Sequence, residues 1–111
     1  MKRSREQIVS KLIVYCDEII SFINGLDYNT FIQDLKTFRA TTLCLIQIGE
    51  LVYHLDQPFK DNNPHIDWNG IAGLRHRLVH DYEGINNLLV WDIARNEAGQ
   101  LKEDLRKLVL L

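Results

Sequence analysis

The sequence predicts an all-α fold, an antiparallel bundle of four to five helices, and three observations carry that reading. Apolar residues recur at spacings of three and four, capping residues stand where those runs begin, and no stretch shows a competing β-strand pattern. The length of 111 residues suits one domain rather than two, so residues 1–111 are read as a single unit sharing one core. A core of this size is modest, and pairing of two copies would extend it.

The first helix is marked by Ile8, Leu12, Cys16, Ile19, Ile20 and Ile23 on one face. Ser4 and Gln7 have capping-box spacing at its start, and Asn24-Gly25 supplies a left-handed stop. A second helix, the longest, is expected to open near Asn29-Thr30, with Thr30 and Gln33 repeating the box, and to run through Phe31, Leu35, Phe38, Thr42, Leu45, Gly49 and Val52 toward Leu55. Gly49 inside it costs about 1 kcal/mol relative to Ala, a penalty kept where another backbone approaches closely. Glu50 would then sit beside a helix crossing. Pro58, Asn62, Asn63 and Pro64 break the periodicity, so residues 57–66 read as the main loop. Asp67 is the expected N-cap of a helix carrying Trp68, Ile71, Leu74, Leu78 and Tyr82, with Gly84 as terminator. Asn86 or Asn87 caps a helix with Leu88, Trp91 and Ala94, and Gly99 separates or kinks it from a last one with Leu101, Leu105, Leu108 and Val109.

Composition excludes several classes of function. With 46% hydrophobic and 25% charged residues the chain is not disordered, and 13 Lys+Arg against 15 Asp+Glu leave a net charge of −2, with no global field toward nucleic acid or anionic membrane. Cys16 and Cys44 lie in apolar helical segments without close-spaced partners, which points to reduced core residues rather than a disulfide or zinc framework. The start of the chain is polar and no run approaches the roughly eighteen apolar residues of a membrane span, so a cytoplasmic location is expected.

Five ionisable groups besides Tyr82 crowd into residues 73–82, Gly-Leu-Arg-His-Arg-Leu-Val-His-Asp-Tyr. On a continuous helix Arg75 and Tyr82 would lie within about 20° of one stripe, with His80 about 140° from Arg75 and about 7.5 Å further along, in the last turn before Gly84. Three readings stand side by side. In the first, Arg77 and Asp81 form an exposed i,i+4 pair, His76 and His80 are solvated, and Tyr82 anchors the helix end. In the second, His76 and His80 form an i,i+4 metal pair, although no third ligand is evident and no Glu lies between them as in metalloprotease motifs. In the third, Arg75 and His80 cleave RNA without metal. That chemistry needs a base for the attacking 2′-hydroxyl, an acid for the departing 5′-oxygen and a cation for the charge on phosphorus. Histidine titrates near working pH, and arginine's planar fork stays charged and grips phosphate with two hydrogen bonds. One His per chain is few for both proton steps, and a twofold dimer supplies a second.

Arg75, His80 and Tyr82 spell R-x4-H-x-Y, which resembles the signature of the HepT-like ribonuclease toxins of the HEPN superfamily. The segments Ile46-Gln47-Ile48-Gly49-Glu50, Trp68 through Arg75, and Tyr82-Glu83-Gly84-Ile85 through Val90-Trp91 are similar to that family's I-x-I-G-E, W-x-x-I-x-G-x-R and post-histidine stretches. The resemblance implies a dimeric HEPN-type bundle with the Arg and His pairs at a shared cleft, acting as a metal-independent endoribonuclease with no cofactor. It also implies a nucleotidyltransferase-fold antitoxin that attaches AMP to Tyr82. His76 stands where the family often has a small polar residue and is read as holding substrate, assisting proton transfer or lying solvated. Glu50 is read as orienting Arg75 or as a structural ion pair or cap. Arg77 is open to RNA-backbone contact, whereas Lys60, His54 and His65 read as solvated face or loop positions. The alternative from another class is a non-catalytic helical adaptor that binds a nucleotidyltransferase and presents Tyr82 to it. RNA-cleavage assays separate the two.

Overall fold

The computed structural model describes residues 3–80 and 84–108, with the backbone alone at His80. These residues are mostly helical and all-α in class, in eight helical segments and one two-residue antiparallel ladder. The count exceeds the four or five expected because two of the predicted helices are split and a predicted loop holds a short helix.

Helix α1 (Arg5–Ile23) begins as its sequence dictates: Gln7 N–H donates to the Ser4 hydroxyl at 3.1 Å and Ser4 N–H donates to the Gln7 side chain at 2.8 Å. Ile8, Val9, Leu12, Cys16 and Ile19 form its buried face, and Gly25 follows at φ +78°. The expected long second helix is two, α2 (Tyr28–Gln33) and α3 (Leu35–Tyr53), broken at Asp34. The capping box is formed by Asp27 and Thr30 rather than Thr30 and Gln33, with Thr30 N–H donating to the Asp27 carboxylate at 2.8 Å. These bonds from Thr30 hold the Asp27 carboxyl below the usual range. Asp34 then caps α3 by accepting from the Thr37 hydroxyl at 2.7 Å and the Thr37 N–H at 3.3 Å.

The predicted loop at residues 57–66 contains α4 (Gln57–Asp61), capped by the Asp56 carboxylate accepting from Phe59 N–H, with Pro58 in its first turn. Proline is compatible with a first turn because the missing N–H has no partner to lose there. The Arg5 guanidinium donates to both oxygens of Asp56 and lies 4.7 Å from the Phe59 ring centroid, tying the start of α1 to α4. Asp67 caps α5 (Trp68–Ala72) as expected, accepting from Gly70 N–H at 3.1 Å, and α6 (Leu74–Leu78) follows after Gly73. The two-residue strands β1 (Val79–His80) and β2 (Gly84–Ile85) pair next, and Asn86 caps α7 (Asn87–Asn96) through Leu89 N–H. The break before α8 (Ala98–Arg106) falls at Glu97, so Gly99 lies inside α8 rather than at the junction.

Helix α1 packs against α3 and α8, while α3 also carries α2, α5, α6 and α7, so α3 is the central support. Phe31 is wholly buried between Phe38, edge-on at 5.7 Å, and Trp91 at 5.0 Å. Cys16 and Cys44 are free and buried, and burial pushes their thiols up to about 12 and about 11, keeping them in the unreactive protonated form. No helix among the described residues is long and apolar enough to cross a membrane.

The position that most restricts this packing is Gly49. A Cβ there would lie 2.8 Å from the Ile71 carbonyl oxygen and 3.4 Å from Leu74 Cβ, so the close backbone approach expected from the sequence is present. Ala improves helix propensity by about 1 kcal/mol, but overpacking against a carbonyl costs about 1–3 kcal/mol, so Gly49→Ala is expected to destabilise by about 1 kcal/mol net. Urea unfolding measures this, and an unchanged or higher midpoint would show that the crossing yields freely.

Candidate active site

Gly73 ends α5 and begins α6 at φ −87°, ψ 6°, its N–H donating to the Asn69 and Ile71 carbonyls. Beyond this joint, Leu74 and Leu78 are buried, one helical turn apart, and hold α6 on the core. Arg75, His76 and Arg77 between them are all exposed. The three basic side chains occupy the last turn of α6, where cations complement the negative end of the helix dipole.

The predicted relation between Arg75 and His80 is overturned at its premise. The helix expected to reach Tyr82 ends at Leu78, because Val79 turns extended at φ −102°, ψ 117°. The Leu78 carbonyl instead accepts from Asn86 N–H at 2.8 Å. Val79 pairs with Ile85 and His80 with Gly84, and Gly84 sits at φ +85°. His80 is therefore displaced from the helical surface that carries Arg75, and the angles of a continuous helix do not apply. The same ending removes the helical i,i+4 spacing from the His76/His80 metal pair, while the Arg77/Asp81 ion pair involves a residue outside the described ones. Tyr82, like Asp81, lies outside the described residues, as does the His80 side chain. Among the described residues no group of three or more His, Cys, Asp or Glu side chains gathers to hold a metal.

Glu50 follows Gly49, and Arg75 follows Leu74, so the α3 crossing draws both to its margin, where both are exposed. Among the described residues no ion pair joins them. Arg77 faces a different environment. It lines a cavity of about 270 Å³ that has Leu45, Ile48 and Ile93 in its lining together with Asp67, Glu97 and Asp104. Those three carboxylates share the lining with Arg77, while Arg75 and His76 lie outside it.

The sequence reading missed the ladder that holds both ends of the segment carrying Tyr82. Its signal was present: β-branched Val79 and Ile85 flank a short connection ending in Gly84, the pattern of a tight hairpin.

The family model described as HepT-like, Ribonuclease HepT-like, matches residues 12–108. The chain is 32% identical over 108 residues to "Putative RNase MJ0125" of Methanocaldococcus jannaschii, covering 97% of this chain and 93% of that protein. It is 40% identical over 80 residues to "Putative RNase MJ0127" of the same organism, covering 72% of this chain and 66% of that protein. It is 29% identical over 108 residues to "Probable ribonuclease HepT" of Thermococcus cleftensis, covering 97% and 98%. No solved structure matches the chain.

A Cβ at Gly84 would meet open space, so Gly84→Ala probes backbone conformation alone. An L side chain at positive φ is expected to cost about 1 kcal/mol and to speed amide exchange within the ladder. Hydrogen exchange with denaturant unfolding checks it. Unchanged stability and protection would mean that the positive φ does not hold the turn.

Proposed function

The chain belongs to the Ribonuclease HepT-like family, and on that premise we propose that it is a metal-independent endoribonuclease toxin, acting as a homodimer and paired with a nucleotidyltransferase-fold antitoxin. The observation that carries this reading is the placement of Arg75 at the margin of the Gly49 crossing, exposed and beside exposed His76, with the His80 backbone fixed just beyond the end of the same five-residue helix.

In this reading the Arg75 guanidinium grips the scissile phosphate and offsets the charge that builds on phosphorus. The His80 imidazole of one chain takes the proton from the RNA 2′-hydroxyl, and the protonated imidazole of the other returns one to the departing 5′-oxygen. The P–O5′ bond breaks as the P–O2′ bond forms, leaving a 2′,3′-cyclic phosphate and a free 5′-hydroxyl. His76 and Glu50 support the site from either side of Arg75. The acid-lined position of Arg77 makes it a lesser contributor. Tyr82 is the modification site: transfer of AMP from ATP to its hydroxyl, with release of pyrophosphate, adds bulk and negative charge two residues from His80, where an RNA phosphate would be repelled.

Purified protein is expected to cut single-stranded RNA in EDTA. Arg75→Ala and His80→Ala should each lower the rate at least about a hundredfold, the scale of a lost acid–base or charge-stabilising group, with the helical circular dichroism unchanged. Full cleavage by His80→Ala would remove the catalytic assignment and favour the adaptor reading. Incubation with ATP and the cognate transferase should add AMP to the wild type and not to Tyr82→Phe, as read by intact mass. Undiminished labelling of Tyr82→Phe would exclude that site.

A further inference from the structure

The cavity that Arg77 lines has no part in the chemistry proposed above. It holds about 270 Å³ between α3, α5, α6, α7 and α8. Its floor is apolar, built from Leu45 and Ile48 of α3, Ile71 of α5, Leu74 of α6 and Ile93 of α7, and all but Ile71 are buried. The Cys16 thiol beside them stays protonated and adds no charge. The charges stand at the mouth instead, where Arg77, His65, Asp67 and Glu97 are exposed and Asp104 is half-buried. An apolar recess with a few convergent polar groups is the form of a small-molecule site, and this volume lies near the lower end of the usual range of about 300–1,000 Å³.

The charges at the mouth identify the occupant. Arg77 stands on α6 and Glu97 at the junction of α7 and α8, and among the described residues neither the guanidinium nor the Glu97 carboxylate has a hydrogen-bond or ion-pair partner. Asp67 and Asp104 differ, since Asp67 accepts from Gly70 N–H at 3.1 Å and Asp104 from the Gln100 side chain at 2.9 Å. Opposite charges that line one cavity without meeting leave room for a ligand that carries both signs. We infer that the cavity binds a small zwitterion with an aliphatic arm, an α-amino acid of the leucine class. Its carboxylate takes the planar fork of Arg77, its ammonium donates to Glu97, and its arm displaces water from the floor.

The arrangement selects against other classes of ligand. A diamine carries charge at both ends and would bury one ammonium against Leu45 and Ile48. A phosphate group would meet three carboxylates for one guanidinium. A fatty acid offers nothing to Glu97. An α-amino acid sets both charges on one carbon, at the mouth, and leaves a single apolar arm for the floor. Held between Arg77 and Glu97, the ligand ties α6 to the α7–α8 junction, and binding to the folded state alone raises its stability.

Titration of the isotope-labelled chain with L-leucine, followed by NMR without RNA, tests the site separately from the ribonuclease reading. The amide signals of Gly70 and Ala98, both in the lining, should move with a dissociation constant of about 1 mM or below. Glycine lacks the arm, isoamylamine the carboxylate and isocaproate the ammonium, and each should bind at least about tenfold more weakly than leucine. Arg77→Ala and Glu97→Gln, both at exposed positions, should each weaken leucine binding at least about tenfold with unchanged circular dichroism. Leu101→Trp, which fills the cavity from α8, should abolish it, and the two exposed substitutions decide the matter if that variant fails to fold. Still signals at leucine about tenfold above that constant, equal or tighter binding of any of the three analogues, indifference to either exposed substitution, or leucine binding by a folded Leu101→Trp would each overturn the inference.

Discussion

Helix α3 can lie against the corner between α5 and α6 only because residue 49 has no side chain. The Ile71 and Ala72 carbonyls and the Leu74 Cβ occupy the space that any Cβ would enter. This contact does more than close the core. Since Leu74 is held at the crossing and Leu78 is buried one turn later, α6 has a single orientation on the core, and the three residues between those leucines face solvent. Arg75 is thus positioned on α6 by the apolar packing of its neighbours Leu74 and Leu78. A helix of five residues has no intrinsic stability in water, so tertiary anchors of this kind are what maintain it.

The other end of α6 is governed by hydrogen bonding. When Leu78 gives its carbonyl to Asn86 N–H, the end of α6 and the cap of α7 become parts of one joint. The pairing of Val79 with Ile85 and of His80 with Gly84 closes that joint further out. The backbone entering and leaving residues 81–83 is therefore set from both sides by helices that pack on the core. His80, on an extended residue, therefore does not share the helical surface that carries Arg75.

How much of this was legible in the sequence depends on the range of the interactions involved. Caps made between neighbours could be read directly, as at Ser4 with Gln7, Asp67 with Gly70 and the onset at Asn86. Gly49 was legible because a costly residue in a helix needs a reason. The box at Thr30 and Gln33 was misplaced because Asp27, three residues earlier, captures Thr30 through both its N–H and its hydroxyl. Asp34 broke an apparently continuous periodicity because the apolar spacing of Phe31, Leu35 and Phe38 survives the break, and only the Thr37 contacts reveal a new start. Pro58 was read as a breaker although it is at home in the first turn of α4. The ladder was the deepest omission: two paired residues leave almost no periodicity, and the bond that ends α6 comes from Asn86, eight residues beyond Leu78. The candidate site residues were legible as a cluster, while their geometry was not, because it depends on that bond.

Charge sets the last constraint on how such a site would meet RNA. A chain of net charge −2 has no long-range attraction for a polyanion, and at physiological salt fields between exposed charges fade within about 8 Å. Attraction must come from the few cations within that distance of the phosphate. Arg77 shares its cavity lining with Asp67, Glu97 and Asp104, whereas Arg75 is exposed outside that lining, beside His76. One guanidinium is a weak anchor for RNA, and in the proposed homodimer the two Arg75 side chains would double that charge while the net charge becomes more negative. Binding would then depend on how well a strand fits the surface around Arg75 rather than on how strongly it is drawn in from solution.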